Sequence, residues 1–123
     1  MNKDTCLEAT IQQLIFLSDS VFPEEKDHWA TNAQNLLIIL LVYLQVLKRK
    51  GREPLVNKLK RIRKMEYREI PNILRAVSSL PDVNIHRVKQ SLTAISKCGE
   101  NELHGTFSTM MSFIIGYTAL HYE

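Results

Sequence analysis

The stretch Asp27–Leu47, DHWATNAQNLLIILLVYLQVL, constrains the fold most, because it reads as one helix that changes character halfway along. In its first half Trp29, Ala33, Leu36, Leu37 and Leu40 share a face at helical spacings. From Leu36 to Leu44 every residue is apolar, until Gln45 interrupts. A helix that starts one-faced and becomes apolar all round enters a bundle at its edge and then runs through the middle. A chain of 123 residues holds one core and one domain. No segment alternates polar and apolar residues long enough to make a strand. The sequence therefore predicts an all-α fold: a compact bundle of about six helices around one long central helix, occupying 1–123 as a single domain.

The apolar run Leu36–Leu47 is shorter than the roughly 20 residues needed to cross a bilayer, and Asn32, Gln34 and Asn35 cut it short. It is expected to be a buried core helix. No basic segment followed by an apolar stretch and a cleavage site opens the chain, so no secretory signal is expected. A cytoplasmic location follows as an expectation.

The remaining stripes place the other helices. Asp4 or Thr5 caps a first helix whose apolar side is Leu7, Ile11, Leu14 and Ile15, ending near Asp19–Ser20. Phe22-Pro23-Glu24-Glu25 reads as the start of the long helix, which is expected to run from about Glu24 to Lys50 and to stop at Gly51. Pro54 opens a third helix from Leu55 to about Tyr67, with Leu59, Ile62 and Met65 on its apolar side. Pro71 resets the chain into a fourth helix, Ile85 to Lys97 makes a fifth, and the last begins near Asn101. An even number of antiparallel helices is expected to leave both termini at one end of the bundle.

A formal net charge of +3 conceals an asymmetry. Between Lys48 and Arg68 stand ten of the sixteen Lys and Arg residues and only two acids, Glu53 and Glu66. The rest of the chain carries six bases and eleven acids. The segment is thus a basic face on an acidic body. Lys48, Arg49, Lys50, Lys58, Lys60, Arg61, Arg63, Lys64 and Arg68 are its candidate contacts. Such a cluster meets phosphates, with binding that weakens steeply as salt rises, or an acidic protein surface. Tyr67 is the one aromatic interleaved, which favours backbone contact over base stacking. Trp29 is expected to be a core anchor at the start of the long helix.

Catalytic motifs are missing. Gly51, Gly99, Gly105 and Gly116 are too dispersed for a phosphate loop, and no carboxylate pair stands out. Ser108 four residues after His104 reads as a polar helix face. Cys6 and Cys98 match no metal-ligand spacing, and His28, His86, His104 and His121 are scattered. No enzyme activity, cofactor or metal is expected, and the two cysteines are expected to be free thiols.

The order of these features resembles the all-α domain of the type IV coupling proteins, the TraG/TraD-like ATPases of conjugation and type IV secretion. The family pattern of a polar or acidic residue, a Trp, an Ala and a Leu-Leu pair opening a long apolar helix is matched here by Asp27, Trp29, Ala33, Leu36 and Leu37. The stretch Glu102–Phe113, ELHGTFSTMMSF, is similar to the small and polar helix that returns that domain to its nucleotide-binding host. The resemblance implies a lobe excised from a larger coupling ATPase at the cytoplasmic side of the inner membrane. It implies a role in recognising a relaxase, an accessory relaxosome protein or DNA, with no catalysis of its own and no membrane contact by this segment. The alternative is a free-standing helical DNA-binding or adaptor regulator.

Overall fold

The computed structural model describes residues 3–48, 53–80 and 85–122. Six α-helices make up the bundle, and no strand occurs among the described residues: α1 Lys3–Ser18, α2 His28–Val42, α3 Leu55–Arg63, α4 Ile70–Ser78, α5 His86–Ser96 and α6 Glu100–Tyr122. Short 3-10 turns at Asp19–Val21 and Tyr67–Glu69 link α1 to the chain before α2 and lead into α4. The all-α class and the central position of the long helix hold.

The central helix begins later than its composition predicts. Phe22 precedes Pro23, and the proline ring drives Phe22 out of the helical region to φ −117°, ψ 156°. Phe22 then turns inward, its ring 5.0 Å from that of Phe113 on α6. Asp27, also extended, is the cap: its carboxylate accepts from the Ala30 amide at 2.8 Å, and α2 starts at His28. At the other end Tyr43–Leu47 widen into a π-turn, with the Lys48 amide bonded to the Tyr43 carbonyl at 3.2 Å. The helical run therefore stops at Leu47. Gly51, proposed to end it, lies outside the described residues. The start of α1 is also displaced, since Asp4 and Thr5 lie inside its first turn and do not precede it.

Every residue from Asn32 to Val42 is buried, so α2 is enclosed on all sides before its apolar run even begins. The window His28–Leu47 is long and apolar enough to cross a membrane by length and composition, and 72% of it is buried against the rest of the protein. Three polar side chains inside this helix each tie it to a different neighbour. Gln34 Nε2 donates to Ser18 Oγ at 3.1 Å and to Asp19, fixing the end of α1. Asn35 Oδ1 accepts from Arg87 Nη1 at 2.7 Å and from Ser91 Oγ at 3.0 Å, fixing α5. Asn32 Nδ2 donates to Glu102 Oε1 at 3.4 Å at the start of α6. These amides lie at different azimuths on one helix, so together they set its rotation as well as its depth.

The apolar stripes of the other helices close over α2. Leu59 and Ile62 of α3, Ile70, Ile73 and Val77 of α4, Val88 and Ile95 of α5, and Met110 and Ile114 of α6 join its leucines and isoleucines in one core. The last turns of α6 meet the C-terminal end of α1, with Ser20 Oγ 3.4 Å from Tyr117 Oη.

Trp29 is not a core anchor. It is 43% exposed, because it lies in the first turn of α2, outside the enclosed section. One face of its ring covers Gly105 of α6, where an added Cβ would stand 2.8 Å from Trp29 Cζ3. Glycine at 105 thus permits the close approach of α6 to the start of α2.

Replacing Asn35 by Leu keeps the branching at Cγ but leaves Arg87 and Ser91 without their shared acceptor. Urea unfolding should show a loss of about 1–3 kcal/mol. An unchanged or raised midpoint would mean that the buried amide is not what fixes α5.

Candidate basic interface

Helix α3 presents the site. Pro54, with φ −66°, precedes its first turn, and its carbonyl accepts the Asn57 and Lys58 amides at 3.0 and 3.2 Å. Leu59 and Ile62 face the core, which turns Asn57, Lys60, Arg61 and Lys64 outward. With Glu53 these four line a shallow groove of about 230 Å³. The helix ends at Arg63, short of the expected Tyr67, because the Glu66 amide is taken by the Glu69 carboxylate at 2.6 Å in a reciprocal cap that starts the next turn.

The nine cations singled out by charge do not form one surface. Lys60, Arg61 and Lys64 are brought together in the groove. Lys60 and Lys64 are exposed, and their side chains make no hydrogen bond or ion pair among the described residues. Arg61 is clamped by Glu53: Nε donates to Oε2 at 2.7 Å, and Nη2 donates to Oε1. That pairing holds the guanidinium above its ordinary pKa, through the hydrogen bond first and the carboxylate charge besides.

Lys58 is a correction to the expected face. Although Asn57 and Lys60 on either side of it along the helix are solvated, it is only 2% exposed, because its position on α3 lies beside Leu59 and Ile62 on the inward side. Its ammonium donates to the main-chain carbonyl of Glu53 at 2.5 Å. Burial pushes its pKa down, against the pull of the Glu53 charge. It also lines a cavity of about 170 Å³ with Thr10, Gln13 and Gln45, and the buried Gln45 Oε1 has no hydrogen-bond partner in the protein. Lys58 is therefore structural in this fold and cannot reach a large partner.

Arg63 turns toward α6, where Nη1 donates to Thr118 Oγ1 at 3.1 Å. Arg68 lies on the following turn, paired with Glu66 at 2.8 Å. Lys48 sits over the Tyr43 ring, 5.7 Å from its centroid, at the far end of α2. Arg49 and Lys50 lie outside the described residues.

Two members of the groove, Glu53 and Asn57, escape a reading based on positive charge. The signal for Glu53 is its isolation as one of two acids in the basic segment. For Asn57 it is the spacing to Arg61, one helical turn on.

Tyr67 is committed to packing. Its ring lies 4.6 Å from His104 and 5.7 Å from Phe107, and its hydroxyl donates to the Glu100 carbonyl at 3.3 Å. A second polar cluster links α2, α5 and α6: His28 Nε2 lies 2.6 Å from Glu102 Oε1, and Asn32 Nδ2 points to Cys98 Sγ at 3.9 Å. Burial foremost, then the neighbouring Glu102 charge, pushes the Cys98 thiol up. Among the described residues no three His, Cys, Asp or Glu side chains are grouped to hold a metal ion.

No family model, no curated protein and no solved structure matches the chain.

The raised Cys98 pKa predicts slow thiol chemistry. In a Cys6→Ser variant, Cys98 should react with a chromogenic disulfide reagent at pH 8 more slowly in the folded protein than in urea, with the rate climbing toward higher pH. Equal rates in the two states would contradict the half-buried, acid-flanked thiol.

Proposed function

We propose that this chain is a recognition module that docks a polyanionic partner, in the first instance the phosphate backbone of DNA, onto the outer face of α3. The observation that carries the reading is the convergence of Lys60, Arg61 and Lys64 on one groove, on a body whose remaining sequence is acidic. Three cations on one helical face meet successive phosphates without reading base edges, so they position a duplex and do not select its sequence. The packed ring of Tyr67 supports backbone contact over stacking. The resemblance to coupling-protein helical domains supplies the setting: the docked species would be transferred DNA or its relaxase complex, and the module would act for an ATPase without hydrolysing ATP itself.

Duplex binding measured across a salt series tests this. Affinity should fall with a logarithmic slope of about −2 to −3, the value for two or three neutralised phosphates. Charge reversal at Lys60 and Lys64 together should remove binding at moderate salt. Lys97→Gln should leave it within about twofold, since that exposed ammonium stands at the end of α5, outside the groove. Absence of binding by the unaltered chain at low salt would sink the DNA reading. Binding of an acidic protein in its place, lost on the same charge reversal, would transfer the interface to that partner class.

A further inference from the structure

The groove on α3 already contains an oxyanion. Glu53 offers both carboxylate oxygens to the fork of Arg61, while Lys60, Lys64 and Asn57 line the remaining walls. We infer that Glu53 is the built-in occupant of a phosphodiester subsite, and that a nucleic-acid phosphate enters by displacing this carboxylate from Arg61. The inference rests on the docking reading above and specifies which atoms the phosphate takes.

Three features of the geometry carry it. A guanidinium fork matches a carboxylate and a phosphate by the same pair of parallel hydrogen bonds, so one group replaces the other without moving the arginine. The pair is open to exchange, with 44% of the Arg61 side chain and 23% of the Glu53 side chain accessible. The Glu53 main chain is held separately, because Lys58 grips its carbonyl oxygen from inside the fold. The carboxylate can therefore swing away while the backbone that shapes the groove stays in place. Lys58, of no use as a direct contact, anchors the residue that guards the site.

A phosphate arriving beside a resident carboxylate meets like-charge repulsion and finds its best donor occupied. In Glu53→Gln the repulsion vanishes and the clamp on Arg61 is reduced to a single neutral acceptor, while the main-chain carbonyl stays in place for Lys58. The control is Glu66→Gln, which removes the same charge from the pair with Arg68 on the next turn, away from the groove.

Binding of a short mixed-sequence duplex should be compared for the unaltered chain, Glu53→Gln, Glu66→Gln and Glu53→Gln/Arg61→Gln, with helix content checked by circular dichroism. Glu53→Gln should bind about tenfold tighter at moderate salt, with a slope steeper by about one unit. Glu66→Gln should change affinity by less than about twofold, because an exposed charge outside the groove is screened. The double variant should lose the gain. If the unaltered chain binds and Glu53→Gln gains no more than Glu66→Gln, the resident-carboxylate inference is overturned and the docking reading stands. If neither the unaltered chain nor Glu53→Gln binds at low salt, the docking reading fails and takes this inference with it. At moderate salt, binding by Glu53→Gln alone, with the unaltered chain binding only as the salt is lowered, would support the inference in its strongest form, a groove closed by its own carboxylate.

Discussion

The fold depends on a single apolar helix that is enclosed from Asn32 to Val42 yet carries three amides there. Burying Asn32, Gln34 and Asn35 without partners would cost several kcal/mol, and each is answered from a separate element: α6, the end of α1 and α5. Apolar burial drives these helices together but is indifferent to their exact rotation. The amides supply what it lacks, because a slip of α2 by one residue would turn all three from their partners at once. The leucines and isoleucines make the bundle stable, and the polar positions make it one particular bundle.

The site follows from this arrangement. Because α3 packs against α6 and buries Leu59 and Ile62 in the common core, its register decides which cations face water and which do not. Lys58 lies next to Leu59 and is drawn in; Lys60, Arg61 and Lys64 fall on the outer arc. Charge density along the sequence thus becomes a much narrower feature in space, a groove of three cations around one carboxylate. Among the other described bases of the segment, Arg63 bonds to α6, Arg68 pairs with Glu66 in the turn, and Lys48 rests on an aromatic ring.

Much of the architecture was legible because it rests on periodicity. The change along Asp27–Leu47 identified the central helix, and Leu59 and Ile62 of α3 are buried as their spacing predicts. Boundaries that depend on local geometry were not legible. The extended Phe22 before Pro23 and the cap at Asp27 move the start of α2, while the π-turn at Tyr43–Leu47 moves its end. Trp29 shows the limit of residue type as a guide: its place in the first turn, over Gly105, leaves it half in water despite its size. Asn32, Gln34 and Asn35 read as the polar edge of an apolar run, because their partners lie far away along the chain. In the basic segment, composition revealed the cations but not the carboxylate that organises them. That role for Glu53 appears only when residues 53 and 61 are seen across one groove.

The central claim is that the outer arc of α3 is the docking surface, and residue-resolved NMR during titration with a mixed-sequence duplex tests it most directly. The account predicts saturable shifts confined to the amides and side chains of Glu53, Asn57, Lys60, Arg61 and Lys64 and their immediate neighbours. Shifts that saturate on α5 or the outward face of α6, with the α3 groove silent, would contradict it.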